Sequence, residues 1–273
     1  MPSLSHSNHH NESSGENRFV LPFTNAPIVV LIGPTLCGKS MVLARLCNYL
    51  SEQRYSISLD FPWAYSDPYL EHFVGSLCDG RTVMPATRQQ YYFVRVTDEK
   101  MATKCHIVDT LGADYDVKTM PYNIEEGTRN PFPLYLDFIA ARGRKVIYII
   151  FLDYGDDDFL RDAYISRMRR LYDRYIINTD SRVILLQNKV DLFRDGRCAN
   201  ARGVFDKRAL RDYAYQRYED LFFKKKYFWG ERITVDYVPF CTGTYSFDDN
   251  FDIYIPSDSS YPQMLWKTIK KAL

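Results

Sequence analysis

"PIVVLIGPTLCGKSMVLARLCNYL", residues 27–50, decides the fold. It begins with a continuous apolar run of strand length and ends with Val42, Leu43, Leu46 and Leu50 at helical spacing. Between them, Gly33, Gly38, Lys39 and Ser40 have the spacing of a phosphate-binding loop. Strand, glycine loop and helix are the order that chemistry requires. Backbone N–H groups at the helix N-terminus surround the phosphates, Lys39 reaches the outer ones, and Ser40 offers its hydroxyl to Mg²⁺. Thr35, Leu36, Cys37 and Met41 complete the segment expected to bind the phosphates. Such a loop points to a nucleoside triphosphate without naming its base.

Two downstream segments narrow the choice. In "CHIVDTLG", residues 105–112, Asp109 follows an apolar strand and can hold Mg²⁺ through water, while the amide of Gly112 can approach the terminal phosphate. In "LLQNKVDLF", residues 185–193, Asn188, Lys189 and Asp191 end another apolar strand. The Asp191 carboxylate can accept hydrogen bonds from the N1 and N2 donors of guanine, a pair that adenine lacks. The expected ligands are therefore GTP or GDP together with Mg²⁺.

The rest of the chain alternates in the same way. Apolar or β-rich runs at 91–96, 145–152 and 233–240 join those at 27–32, 105–108 and 182–187 as expected strands. Helical patterns follow at 159–176 and 207–223, and a last helix at 261–273 is expected to start behind Ser260 as its N-cap. Asp156, Asp157 and Asp158 precede the first of these, where carboxylates favour the positive end of a helix dipole. The pattern predicts an α/β fold of three layers, a mostly parallel sheet with helices on both faces and its ligands at the carboxyl ends of the strands. Residues 1–18 are too polar to repay the entropy of ordering and are expected to be a disordered tail, with His6, His9 and His10 part of it. Residues 19–273 then form one domain. The turn formers concentrated in the 60s to 80s, at 111–133 and at 241–262 mark expected insertions and loops.

Bulk properties exclude several classes. A formal charge of +1, from 35 basic and 34 acidic residues, gives no general attraction to nucleic acid or an anionic membrane. The basic run at Lys224, Lys225 and Lys226 reads as a solvated helix end. No apolar run approaches the roughly 20 residues of a membrane span, and the first residues have no signal-peptide core, so a soluble, cytoplasmic protein is expected. The 6 cysteines lack metal-ligand spacing and read as reduced thiols.

The ordered set GPTLCGKS, DTLG and NKVD resembles the P-loop GTPases of the translation-factor-related class, which includes Ras-like and Era-like small G domains. The resemblance implies a Mg²⁺-dependent switch that hydrolyses GTP to GDP and meets a protein effector or regulator through its switch loops. It implies that Cys241 and Thr242, in "VPFCTG", form the last base-contacting loop. It also calls for a switch threonine on Mg²⁺. Thr82 and Thr87 are the candidates, and Thr87, just before the expected strand at 91–96, is the better placed. Lys39, Thr87 and Gly112 are then the groups expected to act on the terminal phosphate, with Ser40, Thr87 and Asp109 around the metal. An extended first switch region is expected at about 51–86.

Some positions depart from the family pattern. Ala113 stands where the family often has a Gln or His that orients the attacking water, and Thr35 and Leu36 stand where many members have Gly. Slow turnover is therefore expected. A scaffold that binds GTP without hydrolysing it is the alternative, and the long switch region also prompts a reading as a GTPase of a bacterial multi-component system. A P-loop kinase is a further rival, which Asn188 to Asp191 oppose.

Overall fold

The computed structural model describes residues 21, 22, 24–60, 92–118, 132–141, 143–152, 157–177, 179–193, 206–222, 235–248 and 251–273. The phosphate-loop segment folds as its pattern predicts. Strand β1 (Ile28–Ile32) is buried along its whole length, which is why it shows an unbroken apolar run in place of alternation. Helix α1 (Lys39–Glu52) follows directly from the loop. Next comes strand β2 (Ser56–Asp60), then β3 (Tyr92–Thr97) and β4 (Thr103–Asp109). Helix α2 (Leu134–Ala141), strand β5 (Val146–Phe151), helix α3 (Asp158–Leu171) and strand β6 (Arg182–Gln187) continue the alternation. Helix α4 (Lys207–Phe222), strand β7 (Val235–Pro239), strands β8 (Gly243–Asp248) and β9 (Phe251–Pro256), and helix α5 (Ser260–Ala272) complete it.

Seven strands form one sheet in the order β2-β3-β4-β1-β5-β6-β7. The run β4-β1-β5-β6-β7 is parallel, and β2 and β3 extend it antiparallel at one edge. Alternate residues of β1 enter opposite cores. Ile28, Val30 and Ile32 pack with α2, α3 and α4, whereas Val29 and Leu31 pack with α1 and α5. The three expected layers are thus present. Each such aliphatic side chain contributes about 1.5–3 kcal/mol when fully buried, so β1 anchors both faces at once.

Three features differ from the sequence expectation. Residues 51–60, inside the expected switch insertion, carry the end of α1 and the strand β2, where Ile57 and Leu59 alternate with Ser56, Ser58 and Asp60 in a short strand pattern that the insertion reading passed over. Residues 243–256, expected as loop, form a separate antiparallel hairpin, β8 against β9. Ser260 is the first residue of α5 and not its cap; the Asp258 carboxylate accepts from the Ser260 N–H, and the Ser260 hydroxyl together with that N–H holds the carboxyl below its ordinary range. The expected cap at Asp157 is present, its carboxylate accepting from the Leu160 N–H at 3.0 Å. The tail, Thr82, Thr87 and the lysine run lie outside the described residues.

Candidate nucleotide site

Parallel pairing sets the site. Leu31 of β1 is in register with Asp109 of β4, and β5 lies between β1 and β6, so the phosphate loop, Asp109 and Asn188 all emerge at the carboxyl edge of the sheet. Gly38 enters α1 at φ 91°, a left-handed conformation suited to glycine. A Cβ there would lie 2.3 Å from Asn188 Nδ2. No side chain caps α1 and no acidic residue sits in its first turn, so its orphan N–H groups and positive dipole end are left for an anion.

Lys39 is buried and donates to the carbonyls of Gly33 at 2.9 Å and Pro34 at 3.0 Å, which folds its ammonium over the loop. Ser40 Oγ donates to Asp109 Oδ2 at 2.5 Å. Met41 is the next residue of α1 and is half-buried, while Thr35 and Leu36 form the exposed crest of the loop. Burial pushes the Asp109 carboxyl above its ordinary range, against the opposing pulls of the Lys39 charge and the Ser40 hydrogen bond. Its Oδ1 is buried with no hydrogen-bond partner among the described residues. A buried carboxylate oxygen without a donor, beside a serine hydroxyl, is a donor set that fits a hard divalent cation such as Mg²⁺. Gly112 opens a short turn whose backbone lies against the loop; a Cβ there would meet Thr35 Cα at 2.6 Å. Ala113 beside it is exposed, and the Asp114 carbonyl accepts from Arg167 Nη2.

The Asn188–Asp191 segment is tied to the same loop. Asn188 Nδ2 donates to the Cys37 carbonyl at 3.1 Å, and Lys189 Nζ donates to the Leu36 carbonyl at 2.9 Å. Lys189 takes a left-handed conformation, φ 57°, that turns the chain so that Asp191 lies exposed. Burial, and next to it the nearby Asp191 carboxylate, push the Cys241 thiol up to about 12. Thr242 is buried next to it. The structure therefore brings together Gly33 to Met41, Asp109, Gly112, Asn188, Lys189, Asp191, Cys241 and Thr242. Among the expected site residues, Thr87 alone lies outside the described residues.

Sequence reasoning missed two contacts near the site. Arg167 holds the turn after Gly112, and nothing local in its helix marks it. Arg45 reaches from α1 to Ser257; a charged residue at helical spacing with Val42 and Tyr49 on an otherwise apolar face signals a buried partner without saying which.

A strand-loop-helix unit at the carboxyl edge of a mostly parallel sheet, with a buried carboxylate at the end of the neighbouring strand and Asn-Lys-x-Asp two strands further on, is the arrangement of an α/β P-loop fold. No protein-family model matches the chain, and no curated protein matches it by sequence. Among solved structures it is similar to a nucleolar GTP-binding protein 1 from Plasmodium falciparum, at 12% identity and a TM-score of 0.42, covering 92% of this chain and 90% of that one. It is also similar to a signal recognition particle receptor SRb-GTP/SRX complex from Chaetomium thermophilum, at 15% identity and a TM-score of 0.48, covering 91% and 99%. Overlays this loose match only the general path of the chain, and the fold assignment rests on the sheet order and loop geometry above. No helix among the described residues is long and apolar enough to cross a membrane.

Proposed function

We propose that the chain binds GTP with Mg²⁺, hydrolyses it slowly to GDP and works as a conformational switch. The observation that carries this is the crossing of Asn188 and Lys189 onto the carbonyls of Cys37 and Leu36, which makes the base-reading segment and the phosphate loop one rigid unit. Asp191 meets the guanine N1 and N2 donors from beside Cys241, and Lys39 leaves the loop carbonyls for the outer phosphates. Ser40 by its hydroxyl and Asp109 through water would hold Mg²⁺, which would neutralise charge on those phosphates. The amide of Gly112, already against the loop, donates to the terminal phosphate. That contact ties the turn to the state of the nucleotide, and Thr87 is the proposed switch threonine on Mg²⁺, with an effector or regulator meeting the switch loops.

A second reading has its own support. Ala113 gives no side chain to orient water, so the chain could bind GTP as a scaffold without turnover. Turnover and affinity measured for GTP, GDP and ATP, on wild type, Lys39→Ala and Asp191→Asn, separate the readings. Preferential GTP binding with hydrolysis, and loss of guanine preference in Asp191→Asn, supports the switch. GTP that survives prolonged incubation supports the scaffold, and equal competition by ATP would sink both.

A further inference from the structure

The loop that contacts the base is followed by the β8–β9 hairpin, which stands between it and α5. A loop carrying such an insertion needs a fixed point where the chain returns, and that point is Ser257. Its Oγ donates to the Cys241 carbonyl at 2.6 Å and its N–H donates to the Thr242 carbonyl at 3.2 Å. The hairpin base is closed further by Gly243, paired with Pro256 at φ 129°, where a Cβ would lie 2.3 Å from the Ile255 carbonyl oxygen. Ser257 is in turn gripped from α1. Arg45 is 3% exposed; its Nη2 donates to the Ser257 carbonyl at 2.8 Å and to Ser259 Oγ at 3.2 Å, while Nη1 donates to Asn48 Oδ1 at 2.7 Å.

A buried arginine on the helix that starts at the phosphate loop thus holds the return point of the base loop. The geometry points to Arg45 as a positioning residue for guanine recognition, acting through Ser257 on the backbone of Cys241 and Thr242. It touches no nucleotide. Its planar fork serves three acceptors on two segments far apart in sequence, a task that one ammonium cannot copy. Charge-assisted hydrogen bonds of this kind are the stronger ones, and their loss frees the loop relative to α1. The inference rests on the guanine reading above.

The test uses the full chain, with dissociation of a fluorescent GDP analogue and competition by GDP and ADP, in wild type, Arg45→Met, Arg45→Lys and Ser257→Ala, alongside thermal midpoints. Arg45→Met is expected to release GDP about tenfold faster and to narrow the preference for GDP over ADP. Arg45→Lys restores part of the effect, and Ser257→Ala shifts both quantities the same way by a smaller factor. A lower midpoint with base preference intact in the folded protein would make Arg45 merely structural and overturn the inference. If Arg45→Met does not fold, Ser257→Ala decides, because that half-buried hydroxyl is dispensable for the core; an unchanged release rate and base preference there overturns it too. A wild type without guanine preference overturns the underlying reading as well, and is visible before any variant is compared.

Discussion

Gly112→Ala tests how the turn after Asp109 meets the phosphate loop. A Cβ at this position would lie 2.6 Å from Thr35 Cα, 2.7 Å from Thr35 N and 3.0 Å from the Pro34 carbonyl carbon. Carbon atoms settle at about 3.5–4.0 Å, so the methyl group is short of room by about 1 Å. All three neighbours are backbone atoms, and no rotamer change relieves them. Overpacking of this kind costs about 1–3 kcal/mol, which in a chain of this size lowers Tm by about 2–4 °C for each kcal/mol. The cheapest relief is retreat of the turn, which withdraws the Gly112 amide from the terminal phosphate and leaves the inner phosphates untouched. GTP affinity should therefore fall about tenfold relative to GDP, equivalent to about 1.4 kcal/mol. Calorimetry and competition binding measure the two effects separately. Gly143→Ala is the control: its φ of 62° makes a side chain strained, yet nothing lies within 4 Å of the added Cβ, and it precedes β5 at the opposite edge of the sheet. It should cost about 1–2 kcal/mol and leave the GTP-to-GDP ratio alone. A Gly112→Ala protein with wild-type Tm and ratio would refute the packing as part of the working site.

Two further outcomes follow from titrating groups. Because burial raises the Asp109 carboxyl above its unfolded value, the native chain without divalent cation binds this proton more tightly than the unfolded chain. Its stabilising contribution is full below the unfolded value of 3.8 and is lost as pH rises through the raised folded value. Added Mg²⁺ should raise Tm more near neutrality than in mild acid, and Asp109→Asn should flatten both the pH slope and the Mg²⁺ response in thermal melts. The thiols of Cys241 and Cys105 are both pushed up to about 12, so alkylation of the native chain at mildly alkaline pH, mapped by mass spectrometry, should spare them until unfolding. Fast labelling of Cys241 in the native chain would contradict its burial against Asp191.

Much of the site was legible because its demands fall on single residue types. Gly38 must take a left-handed φ beneath Asn188, Asp109 must end a buried strand, and Lys189 must reach the loop, so identity and spacing stand in for geometry. Likewise the strands β1, β5 and β6, buried on both faces, show as plain apolar runs. What stayed hidden lies among turn formers or depends on distant partners. Strand β2 alternates Ser56, Ser58 and Asp60 with Ile57 and Leu59 over only 5 residues inside the expected insertion, and β8 begins with Gly243 and ends with Asp248, residues that equally suit turns. The Arg45 and Arg167 contacts depend on partners far along the chain, and no local window contains both ends. Ser260 was read as a cap because serine suits one, while Asp258 supplies the stronger acceptor two residues earlier.

Strand β2 has one more consequence. Hydrogen-bonded to β3 from Ser56↔Thr97 to Asp60↔Phe93, it leaves β3 clamped between two antiparallel ladders, with β4 on its other side. Sliding β3 along either neighbour would break both ladders together, and a single-residue slip would turn Val94 and Val96 out of the core. The β3–β4 ribbon is consequently a fixed rail. Under the proposed switch, a signal from the phosphates has to be written in the segments at the ends of these strands.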